Sequence, residues 1–417
     1  MNNKLPIFLI MSMMIFLSGC IQLPHSKGWS YSQKQEFIRL LRTDKYLSIC
    51  HYQALASEVI ATRNTSLMNQ MLLAYTKNLA NSCINLAQFD TIQAQRKANG
   101  VETHYTHYLQ EVKDKDIMRQ LDVGLSIEKI LSPYIPKNTQ FTKLLKAYKN
   151  LEKQPTFTAV QLNKLRVNIE RVKIMNDAIG EDYILVNIPE FMVRVKKGAQ
   201  TTLKFKIVVG RKHLQTPIFA QRLKYVTLNP QWSVPDSIAR NEVIPGILKN
   251  ANYLKRHRLV VRKTYDLNSA VMRPSTADYR AYRGGKGAVP FKFIEVPSRY
   301  NALGRVKFIF PNEHSVYMHD TQMKKLFARP VRCYSHGCVR LQKPNDLLSY
   351  VTTHYTDNTL AQVNTWYKSM KTHYLKLNKN VLVHTAYLTA YVREDGKLVM
   401  FNDVYAFDKY QKLTFRP

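Results

Sequence analysis

Acidic residues are scarce in this chain. Only 29 Asp and Glu stand against 62 Lys and Arg, which leaves a formal net charge of +33. A field of that sign attracts polyanions. No helix-turn-helix, zinc-finger or aromatic ribonucleoprotein pattern accompanies it, so nucleic acid is not expected as a partner. The basic residues are spread along the chain, as on a solvated basic surface. The few acids include no spaced pair of the glycosidase kind. Long apolar runs are missing too: Leu5 to Leu17, behind Lys4, is too short to be a comfortable membrane span. Internal repeats and low-complexity tracts are absent. Arg283-Gly284-Gly285-Lys286-Gly287 has neither the spacing nor the following Ser/Thr of a phosphate loop and reads as a flexible loop. What remains is a chain with 45% hydrophobic residues over 417 positions, enough for cored domains, two or three in number.

Cysteine is sparse, with 5 in all, and each has a distinct setting. Leu17-Ser18-Gly19-Cys20 follows the apolar run and resembles a bacterial lipoprotein signal. That implies a signal peptide over residues 1–20, lipidation of Cys20, and a short tether over 21–28. Ile21 after the Cys suits the outer membrane of a Gram-negative bacterium, with the protein lipid-anchored and facing the periplasm. Export would put the other cysteines in an oxidising space. Cys50 and Cys83 lie on neighbouring predicted helices and could be bridged, although sequence does not set the pairing. Cys333 and Cys338 are five positions apart. Cys333 could be a buried bystander, or could pair with Cys338 on oxidation.

The chemistry concentrates around Cys338. Tyr317-Met318-His319-Asp320-Thr321 is followed, at a short interval, by Ser335-His336-Gly337-Cys338-Val339-Arg340. A thiol attacks as thiolate, and a nearby imidazole or cation favours that form. Gly337 has no Cβ, so the backbone can turn sharply there. Its N–H and that of Cys338 could face a developing oxyanion. His319, on a neighbouring strand, could take the thiol proton and return it to a leaving amine. Its ring would be oriented by a backbone carbonyl or by the Asp320 carboxylate. Strand alternation would put Arg340 on the face of Cys338, where a guanidinium suits a substrate carboxylate. Two blander readings compete. Zinc could use His314, His319, Cys333 and Cys338, but a second short Cys pair is lacking. Cys338 could also be an inert buried thiol.

At these residues the chain resembles the L,D-transpeptidases of the YkuD fold. The signature is a His, about fifteen residues, then Ser/Thr-His-Gly-Cys, a hydrophobic residue, and Asn or Arg. Here it reads His319, then Ser335-His336-Gly337-Cys338-Val339-Arg340. Ile184–Phe191, Val208-Val209-Gly210, Asn229–Pro235 and Asn301–Phe308 are similar to the large YcbB-type branch. Asp320 follows the His where many small members carry Gly. The resemblance spans roughly residues 165–410. It implies Cys338 as nucleophile, His319 as general base, and His336 and Gly337 shaping the pocket and oxyanion hole. Arg340 would hold a stem-peptide carboxylate, beside Ser335, Tyr317 and Trp232 on the substrate groove. It implies peptidoglycan stem peptides as substrate, 3→3 cross-links through a cysteine thioester, and no cofactor or metal. The acceptor amine could come from a second stem or from a protein Lys, so wall-synthesis or wall-linked proteins are candidate partners. Water in its place would make a carboxypeptidase or endopeptidase. A silent wall-binding lipoprotein is the reading outside enzymes.

The expected fold class is α+β. Helical periodicity dominates residues 29–175, starting with a capping box at Ser32 and Gln35. This helical domain would be a scaffold or wall-binding module, or a spacer with its own core. From Tyr183 the pattern turns to alternating strands, giving a catalytic domain over residues 176–412. Residues 233–297 break that pattern and read as an insertion capping the site. Val381–Val392 and Lys397–Phe401 read as a closing hairpin around Glu394-Asp395-Gly396.

Overall fold

The computed structural model describes residues 28–176 and 182–415. The signal peptide, Cys20 and the tether up to residue 27 lie outside the described residues. Eight helices come first: α1 (Tyr31–Thr43), α2 (Gln53–Thr62), α3 (Thr65–Asn81), α4 (Leu86–Ala98), α5 (Asp114–Asp122), α6 (Ile127–Leu131), α7 (Thr139–Leu151) and α8 (Ala159–Lys173). The first capping box is Ser30 with Gln33, two residues earlier than the sequence pattern placed it. Gln33 is the better partner because its amide also reaches inward, donating to the carbonyls of Leu121 and Leu125. Cys50 and Cys83 form a disulfide, with Cα atoms 6.0 Å apart. Between α4 and α5, residues 99–113 form a strap that pairs with the later sheet region through Glu102–Leu214 and Tyr105–Ile218 bridges.

The chain then builds β1 (Asp182–Asn187), β2 (Met192–Lys197), β3 (Gln200–Gly210), β4 (Phe219–Arg222), β5 (Tyr225–Leu228) and β6 (Trp232–Ser233). After β6 come α9 (Asp236–Ile238), a π-helical turn at Ala239–Val243, α10 (Ile244–Lys249), α11 (Tyr253–Arg256), β7 (Leu259–Arg262), α12 (Thr276–Ala281) and β8 (Lys292–Glu295). Strands β6, β8 and β7 make a small sheet, and residues such as Val234, Val243, Tyr279 and Phe293 give this insertion its own core. The rest is β9 (Val306–Ile309), β10 (Met318–His319), β11 (Cys333–Ser335), β12 (Val339–Leu341), α13 (Pro344–Tyr355), α14 (Leu360–Lys368), β13 (His373–Lys376), β14 (Leu382–Ala386), β15 (Ala390–Val392), β16 (Leu398–Met400) and α15 (Phe407–Tyr410). The main sheet runs β13-β5-β9-β10-β12-β3-β2-β1-β14-β4, with β11 beside β3. Helices followed by a β-rich unit make the molecule α+β, as the sequence pattern indicated.

Both faces of the sheet are covered. Ile184 and Val186 of β1 enter one core with Phe308, Val339 and Leu347. Tyr183 and Leu185, on the opposite face, join the core of α1–α8. Side chains alternate across a strand, so a strand buried on both sides reads as one apolar run. The helices therefore share a core with the sheet and are not a separately cored spacer. The closing hairpin also differs from expectation. Residues 382–386 pair parallel to β1 inside the main sheet. Only Ala390–Val392 turns back on Leu398–Met400; next to it the Phe401 N–H still donates to the Thr389 carbonyl, while the Thr389 N–H goes to Asn168 of α8.

Helix α8 carries charge into this interior. Glu170 is fully buried and takes Arg166 and Lys173, each at 3.0 Å. It also accepts the Cys83 N–H at 2.7 Å. Arg171 sits 2.7 Å from Asp408. Removing one member of such a set strands the others without a counter-charge. Glu170→Ala is expected to lower stability by about 3–5 kcal/mol, read from the urea midpoint. A change within ~0.5 kcal/mol, as at an ordinary surface position, would show that the cluster is dispensable.

Candidate active site

Strand pairing assembles the site. β10 runs parallel to β12 with His319 opposite Arg340. β9 runs antiparallel to β10 with Lys307 opposite His319. Residues directly opposite share a face, so Lys307, His319 and Arg340 form a row across three strands. Cys338 sits one residue before β12, and alternation sets it and Arg340 on the same side. All of these line one cavity of ≈ 970 Å³, together with Trp232, Tyr317, Ser335 and His336. Of the site residues expected from sequence, Gly337 stands behind that wall, and Cys20 lies outside the described residues.

The turn before Cys338 is fixed from below. Gly337 has φ 110°, which a side chain would strain. Its carbonyl accepts from Thr216 Oγ1 at 2.7 Å. Ser335 Oγ donates to the Cys338 carbonyl at 2.5 Å and accepts the Gly337 N–H at 3.2 Å. This alters two expectations. The Gly337 N–H is committed to Ser335, so Cys338 N–H is the one left without a protein acceptor among the described residues. The Ser335 hydroxyl braces the turn, although its residue borders the cavity.

His319 is buried, and its Nδ1 lies 2.5 Å from the backbone carbonyl of Asp320. The Asp320 carboxylate is engaged elsewhere. It accepts the N–H groups of Arg305 at 2.9 Å and Thr321 at 2.7 Å, and pairs with Lys324 at 2.5 Å. Of the two orienters left open by sequence, the carbonyl is the one used. Gly304 lets this carboxylate in: a Cβ there would fall 2.2 Å from Asp320 Oδ2. Tyr317 packs edge-on to His319 at 5.6 Å between ring centres, and the Lys307 ammonium sits 3.9 Å from the Tyr317 ring centre.

Burial sets the charge states. It pushes the Cys338 thiol up, against the backbone and hydroxyl of Tyr317 and the cations Lys307 and Arg340, all of which favour thiolate. His319 is pushed down to about 3 by burial first and by Arg340 next. The resting pair at neutral pH is thus thiol and neutral imidazole. Among the described residues Arg340 donates to Met323 Sδ, at 3.3 Å, and its buried Nε has no partner. A guanidinium left so in a cavity wall is ready for an anion. His336 reaches across to the insertion, with Nε2 2.6 Å from Glu242 Oε1. That bond is the main reason the Glu242 carboxyl lies below its usual range.

The zinc set imagined from sequence does not assemble. His314 packs tilted against His104, with ring centres 4.1 Å apart, and Cys333 and Cys338 are both free thiols. Sequence reasoning missed Lys307 and Glu242. Lys307 had a signal, a lone cation between the apolar Val306 and Phe308 on a strand. Glu242 had none, since only the folded insertion brings it to His336.

Residues 181–366 match the YkuD family model, described as the L,D-transpeptidase catalytic domain. A putative L,D-transpeptidase from Haemophilus influenzae is 28% identical over 251 residues, covering 60% of this chain and 49% of that protein. The chain thus spans about half the length of the curated relative it matches. Among solved structures, an L,D-transpeptidase from Mycobacterium smegmatis aligns with 49% of this chain and 59% of its own, at 11% identity and a TM-score of 0.22. The Ldtfm–avibactam carbamoyl enzyme aligns with 72% of this chain and 99% of its own, at 10% identity and a TM-score of 0.25.

A raised thiol loses thiolate at neutral pH and regains it in alkali. Alkylation of Cys338 by iodoacetamide, followed by intact mass, is expected to climb steadily from pH 7 past pH ~9. A plateau already reached at neutral pH would mean a preformed ion pair. Lys307→Met removes a cation that favours thiolate, and should slow alkylation at pH 8 by up to roughly tenfold.

Proposed function

We propose that the YkuD L,D-transpeptidase catalytic domain carried by residues 181–366 is an active cysteine acyltransferase acting on peptidoglycan stem peptides. One observation carries this reading: a thiol, a buried neutral imidazole and a guanidinium whose Nε is unpartnered among the described residues line the same cavity. The donor stem would enter with a carboxylate on Arg340 and its scissile carbonyl over Cys338. The sulfur attacks that carbonyl, and the bond from the third stem residue to D-Ala breaks. The thiol proton passes to His319 and then to the departing D-Ala amine. An amine of a second stem, or of a protein Lys, next attacks the thioester. It gives up a proton to His319, forms the new amide, and releases the Cys338 thiol. The Cys338 N–H would face the oxyanion in both steps.

Arg340 has a second effect here. Its charge is one reason His319 resists protonation. A bound carboxylate neutralises that charge and makes the imidazole a better base. The capping insertion supports the large YcbB-type branch. The disulfide, which needs an oxidising compartment, agrees with a periplasmic protein lipidated at Cys20 and anchored in the outer membrane.

The test is purified protein with a tetrapeptide muropeptide, separated by chromatography. Cross-linked dimer with release of D-Ala is the expected product, and Cys338→Ala should make none. Tripeptide alone would reassign the same residues to hydrolysis. No product from the parent chain, and no covalent adduct of a carbapenem on Cys338 by intact mass, would overturn the reading. His319→Ala should keep the fold and slow acylation by roughly 10²–10⁴-fold. Turnover close to the parent would move the base role to another group.

A further inference from the structure

We propose that His104, Glu313 and His314 form a binding site for a divalent transition-metal ion of the zinc class, on the wall of the same cavity. One ligand atom from each residue lies within 4.8 Å of the other two. Two imidazoles and a carboxylate are a donor set such ions favour. Bonds of roughly 2.1 Å would hold tetrahedral ligand atoms about 3.4 Å apart. Glu313, whose side chain is 79% exposed, is free to turn toward the two rings.

The ligands come from segments far apart in sequence, and each is held by its own backbone. His104 lies on the strap of residues 99–113. Its carbonyl accepts the Ile218 N–H at 2.9 Å, and neighbouring Glu102 exchanges bonds with His213 and Gln215. Thr106 Oγ1 sits 2.9 Å from His104 Nε2 and steadies the ring, as an outer partner steadies a ligand imidazole. Glu313 and His314 lie on the loop between β9 and β10. Asn312 pins that loop by accepting the His314 and Val316 N–H groups at 3.1 and 3.2 Å. Phe219 supports the His314 ring edge-on at 5.5 Å. Convergence of the two segments brings the imidazoles to 4.1 Å between centres, inclined by 47°.

Three protein ligands leave a position open for water or a substrate group. The site borders the chemistry: His314 lines the cavity, and the next residue, Ser315, turns its carbonyl to Cys338 Sγ at 3.9 Å. A bound ion would clamp the strap to the loop that carries this carbonyl. The inference stands apart from the proposed acyl transfer, since it uses neither the thiol nor His319.

The experiment is a titration of the untagged chain, its free thiols blocked with N-ethylmaleimide, with Co²⁺ followed by visible absorption and with Zn²⁺ by calorimetry. One equivalent with a tetrahedral or five-coordinate Co²⁺ spectrum is expected. His104→Ala and His314→Ala should each abolish saturable binding, and exposed Glu313→Gln should weaken it with the fold unchanged by circular dichroism. His257→Ala, remote on the insertion, should bind as the parent does. Absence of saturable uptake by the parent, or uptake that survives both His104→Ala and Glu313→Gln, would overturn the site.

Discussion

Everything at the site depends on the parallel pairing of two very short strands, β10 with β12. That register sets His319 against Arg340 and, through β9, against Lys307. A slip of one residue would move every side chain to the other face of the sheet. It would bury Arg340 in the apolar core now filled by Met318 and Val339. Met318 and Val339 are fully buried partners in the same pairing, so core packing and site geometry are locked by one choice. The bracing below it, Ser335 and Thr216 on the Gly337 turn, then sets where the sulfur stands.

Burial and charge work against each other within this frame. Desolvation favours the uncharged forms of Cys338 and His319, while Lys307, Arg340 and Tyr317 favour the thiolate. In the empty cavity desolvation leads, and the thiol stays protonated. Thiols oxidise in proportion to their thiolate character, so this state slows oxidation of Cys338. Cys333, pushed up to about 11 by burial, is protected in the same way. Arg340 acts on both groups at once, favouring the Cys338 thiolate and opposing protonation of His319.

Much of this was legible in the sequence, for reasons that differ by residue. Cys338, His336 and Gly337 are neighbours along the chain, so their company needed no fold. His319 and Arg340 were legible because strand alternation and the spaced motif set their faces. The α+β class followed from the change of period near Tyr183. The misses are long-range. The orienting carbonyl of Asp320 is chosen only because Arg305, Thr321 and Lys324 occupy the carboxylate. The capping box moved to Ser30 because Gln33 finds acceptors on Leu121 and Leu125. The closing hairpin gives up one bond at Thr389 because Asn168 of α8 takes its N–H. In each case a local pattern lost to a partner that sequence cannot bring near.

That same long-range wiring explains why the helices and the catalytic unit cannot be considered apart. The α8 cluster reaches Asp408 and Gln411 at the far end of the chain, and the apolar core continues from Phe37 to Tyr391. The strap of residues 99–113 carries this connection to the cavity itself, where Glu102 forms part of the wall. On the other side, the insertion touches the catalytic turn through Glu242 and His336. The π-helical turn of Ala239–Val243 that presents Glu242 is a geometry often found at functional sites. Two peripheral segments thus meet the cavity from opposite parts of the chain, each through a histidine adjacent to a residue that touches Cys338 or its turn. Lys307, His319 and Arg340 stand on strands held by one core, which β1 joins to the core of the helices.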